Sequence, residues 1–140
     1  MNFELSEEQK MIQQSVERFV QENYDLPKRV ELSSQDPGYS KDYWNSMAEL
    51  GWLGLPFNEE DGGFGGNQID TLVIMEQFGK GLVLEPFLAN VVLGGGAIQI
   101  GGSEELKNEM LSSLIEGSKQ LTLAYAEQQS RFDLEDVVTS

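Results

Sequence analysis

A chain of 140 residues is one domain in size, long enough to bury roughly two-thirds of the surface it exposes when unfolded. Acidic residues outnumber basic ones 24 to 9, and the resulting formal net charge of -15 repels phosphate backbones and anionic lipid, so neither nucleic acid nor a membrane surface is expected as a partner. Cysteine and histidine are both absent, which excludes disulfides, thiolate nucleophiles, imidazole acids and bases, and zinc sites of the usual nitrogen or sulfur type.

Carboxylates, hydroxyls and a bound cofactor are the chemistry that remains. The opening MNFELSEEQK is acidic where a signal peptide would be basic and then apolar. No apolar run approaches the roughly 18 residues of a membrane span, and these two features together point to the cytoplasm. Ser6 followed by Glu7, Glu8 and Gln9 has the form of a capping box and predicts a helix start. Ile12, Val16, Phe19 and Val20 then fall on one apolar stripe, opposite Gln13, Gln14, Glu17, Arg18 and Gln21. From Asp25 to Tyr39 the periodicity lapses, although Pro27 suits the first turn of a short helix through Lys28, Arg29 and Val30. Ser40 caps a second helix with Tyr43, Trp44, Met47 and Leu50 on one side, and Gly51 stands where a left-handed terminal residue is wanted.

The stretch LGWLGLPFNEEDGGFGG, residues 50–66, organises the rest. Leu50, Trp52, Leu53, Leu55 and Phe57 demand burial, yet Gly51, Gly54 and Pro56 forbid a continuous helix, at a cost of about 1 kcal/mol per glycine and about 3 kcal/mol for proline. The expectation is an extended crossing through the core, followed by an acidic, glycine-rich turn. Beyond it, Ile69, Leu72, Val73, Met75, Gln77 and Phe78 predict a third helix that is deeply buried, with Glu76 either partnered or near an opening. Gly79, Lys80 and Gly81 end that helix. Pro86 starts a fourth through Phe87, Leu88, Val91, Val92 and Leu93, which then meets Gly94, Gly95 and Gly96. Three glycines in a row imply a close approach by backbone or ligand, or a break. Gly102 and Ser103 open a fifth helix, Leu106, Met110, Leu111 and Leu114 form its inner face, and Gly117 closes it. Leu121, Leu123 and Tyr125 alternate with Thr122, Ala124 and Ala126, the period of a strand.

Several features invite functional readings and have plainer ones. Gly62 to Gly66 is followed by no Lys-Ser/Thr pair and preceded by three acids, so it reads as a structural turn rather than a phosphate loop. Glu59, Glu60 and Asp61 lack the ligand spacing of an EF-hand and read as solvated loop acids. Trp44 and Trp52 occupy core positions and read as packing rather than stacking platforms. Glu76 reads as a structurally paired carboxylate rather than a general base.

In order and spacing, FELSEEQKMIQQSVERFV, WNSMAELGWLGLPFNEEDGGFGG, IDTLVIMEQFGKGLVLEPFLANVVLGGGAI and GGSEELKNEMLSSLIEGSKQLTLAYAE resemble the N-terminal part of the acyl-CoA dehydrogenase family. The resemblance covers nearly the whole chain. EPFLANVVLGG and LAYAEQQSRFDL look closer to a divergent branch that includes pimeloyl-CoA dehydrogenase small subunits and bacterial steroid side-chain enzymes. The implied fold is all-α, a helical bundle of the family's N-terminal type over residues 1–119. A short extended C-terminal segment over 120–140 would be the truncated start of a β-rich middle domain.

The implied function of the parent enzyme is α,β-desaturation of an acyl-CoA thioester with hydride transfer to FAD. Since the family's catalytic carboxylate and most of its flavin site lie in later domains, no catalytic residue is assigned here, and this fragment alone is expected to bind no FAD and to be inactive. By the resemblance, Phe87, Asn90, Val91 and Gly94 would line the acyl pocket. The flavin-touching strand would include Tyr125 and Ala126, although alanine stands at 126 and glutamine at 128 where the family has threonine and proline. The alternative function is a standalone helical interaction or dimerisation module. Either way, open apolar faces lead to the expectation of a homodimer or higher oligomer.

Overall fold

A computed structural model describes residues 4–131 and 133–139; the expectations touching Phe3, Phe132 and Ser140 lie outside the described residues. Helices α1 (Glu7–Asn23), α2 (Leu26–Ser33), α3 (Lys41–Glu49) and α4 (Gln68–Gly81) are followed by a π-helix over Leu88–Gly95. This runs directly into α5 (Gly96–Gly101), and α6 (Glu104–Ile115) completes the bundle. The fold is all-α, with no strand among the described residues. The caps fall where the sequence places them. Ser6 and Gln9 form the reciprocal box at α1, Ser40 accepts from the Tyr43 amide, and Ser103 accepts from the Leu106 amide. Asp25 does the same for Lys28, so the segment after Tyr24 becomes a two-turn helix with Pro27 in its first turn.

The core gathers on residues 52–57. Trp52 is 4% exposed, Leu53 and Phe57 are fully buried, and Leu55 is half-buried. A run of edge-to-face rings passes from Tyr43 through Phe19, Trp52 and Phe78 to Phe87, with neighbouring centroids 5.3–5.9 Å apart. It links α3, α1, the central stretch, α4 and the start of the π-helix. The central stretch is not the extended crossing its sequence suggests. It is a chain of turns, in which the amides of Gly54, Leu55 and Phe57 bond to the carbonyls of Gly51, Trp52 and Gly54. The reason is main-chain satisfaction: a buried segment with no neighbouring strand must find its hydrogen bonds locally.

The glycine loop runs back along this segment. Amides of Gly63, Phe64, Gly65 and Gly66 donate to the carbonyls of Asn58, Gly54, Phe57 and Leu55. At Gly63 a side chain would sit 2.3 Å from the Phe57 carbonyl oxygen, so only glycine permits the two backbones to meet. With its amides spent on main chain, the loop offers nothing to a phosphate.

Two expectations about the helices are corrected. Helix α4 buries Val73, Ile74, Gln77 and Phe78 but leaves Ile69 and Leu72 more than half exposed, because only α1 covers it closely, along one side. Leu50, expected to share the inner side of α3, is displaced outward at the helix end, where Gly51 turns left-handed at φ +79°.

Long-range polar contacts fix the packing. Gln9 Nε2 donates to Asp70 Oδ1 (2.8 Å) between α1 and α4, and the Trp44 indole N–H donates to the Gly117 carbonyl (3.0 Å), tying α3 to the end of α6. Arg29 Nε donates to the Leu82 carbonyl beyond α4 (2.9 Å). Residues 122–126 carry strand-like alternation but stay exposed and unpaired along the surface.

Candidate functional site

Helix α4, the π-helix and the central stretch line a groove of about 680 Å³. Phe57 floors it, Leu72 and Met75 come from α4, and Leu88, Val91 and Val92 come from the π-helix. Asn67, Thr71 and Gln99 supply polar edges. No titratable side chain lines it. Apolar walls with a few polar groups suit an acyl or aromatic surface rather than an ion.

The Gly96 amide reaches back to Val91, a five-residue step, and the glycines at 94 and 95 stand where Leu121 and Phe57 come close to this wider coil. At Gly95 a Cβ would fall 2.5 Å from the Phe57 ring, while nothing crowds Gly96. Of the two explanations for the glycine run, close approach is the one realised, and the helix continues without a break.

The four residues expected to line an acyl pocket divide between two sides of this helix. Val91 lines the groove, and Phe87 is packed against Phe78 and borders a smaller pocket of about 320 Å³ with Arg29 and Glu85. Asn90 and Gly94 face the other way, toward Leu121: Asn90 Oδ1 accepts from the Leu121 amide at 2.7 Å. All four are buried, and they do not converge on one cavity.

Tyr125 and Ala126 are exposed. Their neighbour Glu127 accepts from the amides of Val138 and Thr139 and from the Gln129 side chain, and these bonds, the Gln129 one foremost, pull its carboxyl down to about 2. Ala126 carries a methyl and no hydroxyl, and the adjacent Glu127 carboxylate is bonded to Gln129, Val138 and Thr139.

Two buried carboxylates, Asp70 and Glu85, lie outside the candidate residues named from the sequence. Asp70 accepts from Gln9 and from the Asn67 amide, and the Asn67-x-x-Asp70 spacing is a capping box that the sequence does contain. Glu85 accepts from the Tyr24 hydroxyl and the Ser40 amide (3.1 Å). Burial raises its pKa in spite of those bonds, and burial beside Glu85 likewise raises the Tyr24 phenol above its ordinary range. No local signal marks the Glu85 pair, because Tyr24 lies 61 positions away. Glu76, by contrast, is exposed and pairs with Lys80 (3.1 Å), the structural rather than the catalytic outcome. Among the described residues no cluster of three or more acids could hold a metal, and no helix is long and apolar enough to cross a membrane.

Residues 6–118 match the family model described as acyl-CoA dehydrogenase, N-terminal domain. The chain belongs to the acyl-CoA dehydrogenase family. It is 34% identical over 120 residues to the probable acyl-CoA dehydrogenase YngJ of Bacillus subtilis, a match spanning 84% of this chain and 31% of that protein. A crystal structure of an acyl-CoA dehydrogenase complexed with FAD from Bacillus anthracis superposes with a TM-score of 0.82 at 29% identity, covering 96% of this chain and 23% of that one. The ChsE4-ChsE5 complex from Mycobacterium tuberculosis shares the fold, with a TM-score of 0.85 at 24% identity over 94% of this chain and 36% of that one. The chain thus spans about a third of the length of the curated relatives it matches. As a member of the acyl-CoA dehydrogenase family it carries the helical N-terminal domain.

Proposed function

We propose that this chain is the N-terminal part of an FAD-dependent enzyme that desaturates an acyl-CoA thioester, with residues 1–119 as the helical domain and 120–140 as the entry to a β-rich middle domain. The observation that carries the reading is the match of residues 6–118 to the acyl-CoA dehydrogenase N-terminal domain, on a chain whose own groove holds no acid or base. Removal of the α proton needs a carboxylate beside the substrate, and Asp70 and Glu85 are both committed to hydrogen bonds away from that groove. The chemistry therefore belongs to domains equivalent to the rest of the relatives' length. This chain contributes an apolar wall, with Phe87 and Val91 on the helix that faces the acyl chain. FAD is the cofactor of the whole enzyme, and a cytoplasmic location accords with this reading.

The test uses the chain alone and the chain fused to the remaining domains of its Bacillus subtilis relative. Alone, it retains no flavin through gel filtration and reduces no dye with acyl-CoA; fused, it retains flavin and reduces dye. Dye reduction by the chain alone, or a folded fusion that stays colourless, overturns the proposal.

A second reading, association with another copy, is favoured by the exposed apolar residues Leu72 and Leu88 at the groove and Met11, Leu50 and Phe64 at a separate hollow. Light scattering decides it: a dimer mass supports the reading, and a monomer at all concentrations removes it.

A further inference from the structure

Asn90 is 1% exposed, and its Oδ1 receives the Leu121 amide at 2.7 Å while its Nδ2 has no partner. An N–H can be answered only by an acceptor, so the orientation of the carboxamide is set by Leu121 and the stranded Nδ2 is its consequence. A leucine would fill the same space without the stranded Nδ2 but would leave the Leu121 amide without its acceptor; the polar side chain is explained by the one bond it makes. One turn on, a side chain at Gly94 would place its Cβ 2.9 Å from Leu121 Cβ, 3.1 Å from the Leu121 carbonyl carbon and 3.2 Å from the Thr122 amide nitrogen. On the outer side, Gln120 Nε2 donates to the Tyr39 hydroxyl (2.8 Å). After these contacts the chain is exposed from Thr122 through Ala126.

From this juxtaposition we infer that Asn90 and Gly94 form a backbone seat for residues 121 and 122, fixing where the segment that carries Tyr125 and Ala126 leaves the helices. They are positioning residues, acting through the chain rather than by touching substrate; their value to catalysis rests on the proposed function, but the seat itself does not. As residues i and i+4 of one helix, Asn90 and Gly94 lie on the same side.

Site-resolved amide hydrogen exchange on the 140-residue chain, without flavin or acyl-CoA, tests the seat separately from the enzymatic reading. The Leu121 amide exchanges on the order of tenfold or more slower than those of Leu123 to Ala126. Asn90→Leu brings it to their rate while the amides of Val73 and Ile74 stay protected, and Asn90→Asp, which keeps an acceptor oxygen, restores protection. Gly94→Ala, with Asn90 intact, also speeds Leu121. If Asn90→Leu fails to fold, the wild-type rates and Gly94→Ala decide. A wild-type Leu121 amide as fast as its neighbours, or one unmoved by every substitution that folds, overturns the inference.

Discussion

Burying a carboxylate against a phenol, as Glu85 and Tyr24 do, ties stability to pH in the direction opposite to that of most acids. The folded-state pKa of Glu85 lies above its ordinary 4.5, so over the window between the two the folded chain holds a proton that the unfolded chain has released. Stability therefore falls as pH rises through that window. Tyr24 repeats the pattern at the alkaline end: the unfolded phenol ionises near its ordinary 10.0, the folded one stays protonated, and stability falls again above that value. Glu85→Gln flattens the acid-side slope and Tyr24→Phe the alkaline one, both read from urea midpoints measured across each window. At Trp52 the issue is volume. Its indole meets Phe19 and Phe78 edge to face, and Trp52→Ala should cost about 3–5 kcal/mol, a large part of the roughly 5–15 kcal/mol that holds a domain together. A urea midpoint within error of the wild type would show that the ring run is not the centre of the core.

Where structure is set by residues close in the chain, the sequence was readable: Ser6, Ser40 and Ser103 cap their helices, and Gly51 and Gly117 end them with positive φ. The central stretch shows the limit of such reading. Its burial followed from composition, but its backbone path depended on which carbonyls the glycine loop would return to, and no local pattern encodes that. The same holds for the π winding, which is permitted by Gly94 and Gly95 yet shaped by Phe57 and Leu121, and for the division of Phe87, Asn90, Val91 and Gly94 between two sides. Pairs such as Gln9–Asp70 become visible only once α1 lies on α4. That contact is also where helix packing is most open to measurement. Gln9→Ala leaves Asp70 Oδ1 without its donor and Asp70→Ala strands the buried Gln9 Nε2, so each costs about 1–3 kcal/mol, while the double variant costs less than their sum, with a coupling of about 1 kcal/mol. Strict additivity in the urea midpoints would mean that the hydrogen bond does not hold the two helices together.

Two properties of the whole molecule oppose each other. A net charge of -15 drives copies apart, while Leu72 and Leu88 flank a largely apolar groove that water fills at a cost. Repulsion between surfaces is screened over about 10 Å at 0.1 M salt, whereas apolar burial is strengthened rather than weakened by salts excluded from the surface. Association should therefore grow with ionic strength, the reverse of an assembly held by salt bridges. Of the two apolar surfaces, the groove beside Leu72 is the larger, about 680 Å³ against about 400 Å³ for the hollow beside Phe64. Leu72→Glu should abolish the salt-induced dimer and Phe64→Glu should leave it, as measured by light scattering through a sodium chloride series. A dimer that dissociates as salt is added would place the contact among charged residues instead. A dimer sensitive to Phe64 and indifferent to Leu72 would move it to the surface formed by α1 and the glycine loop, leaving the groove free.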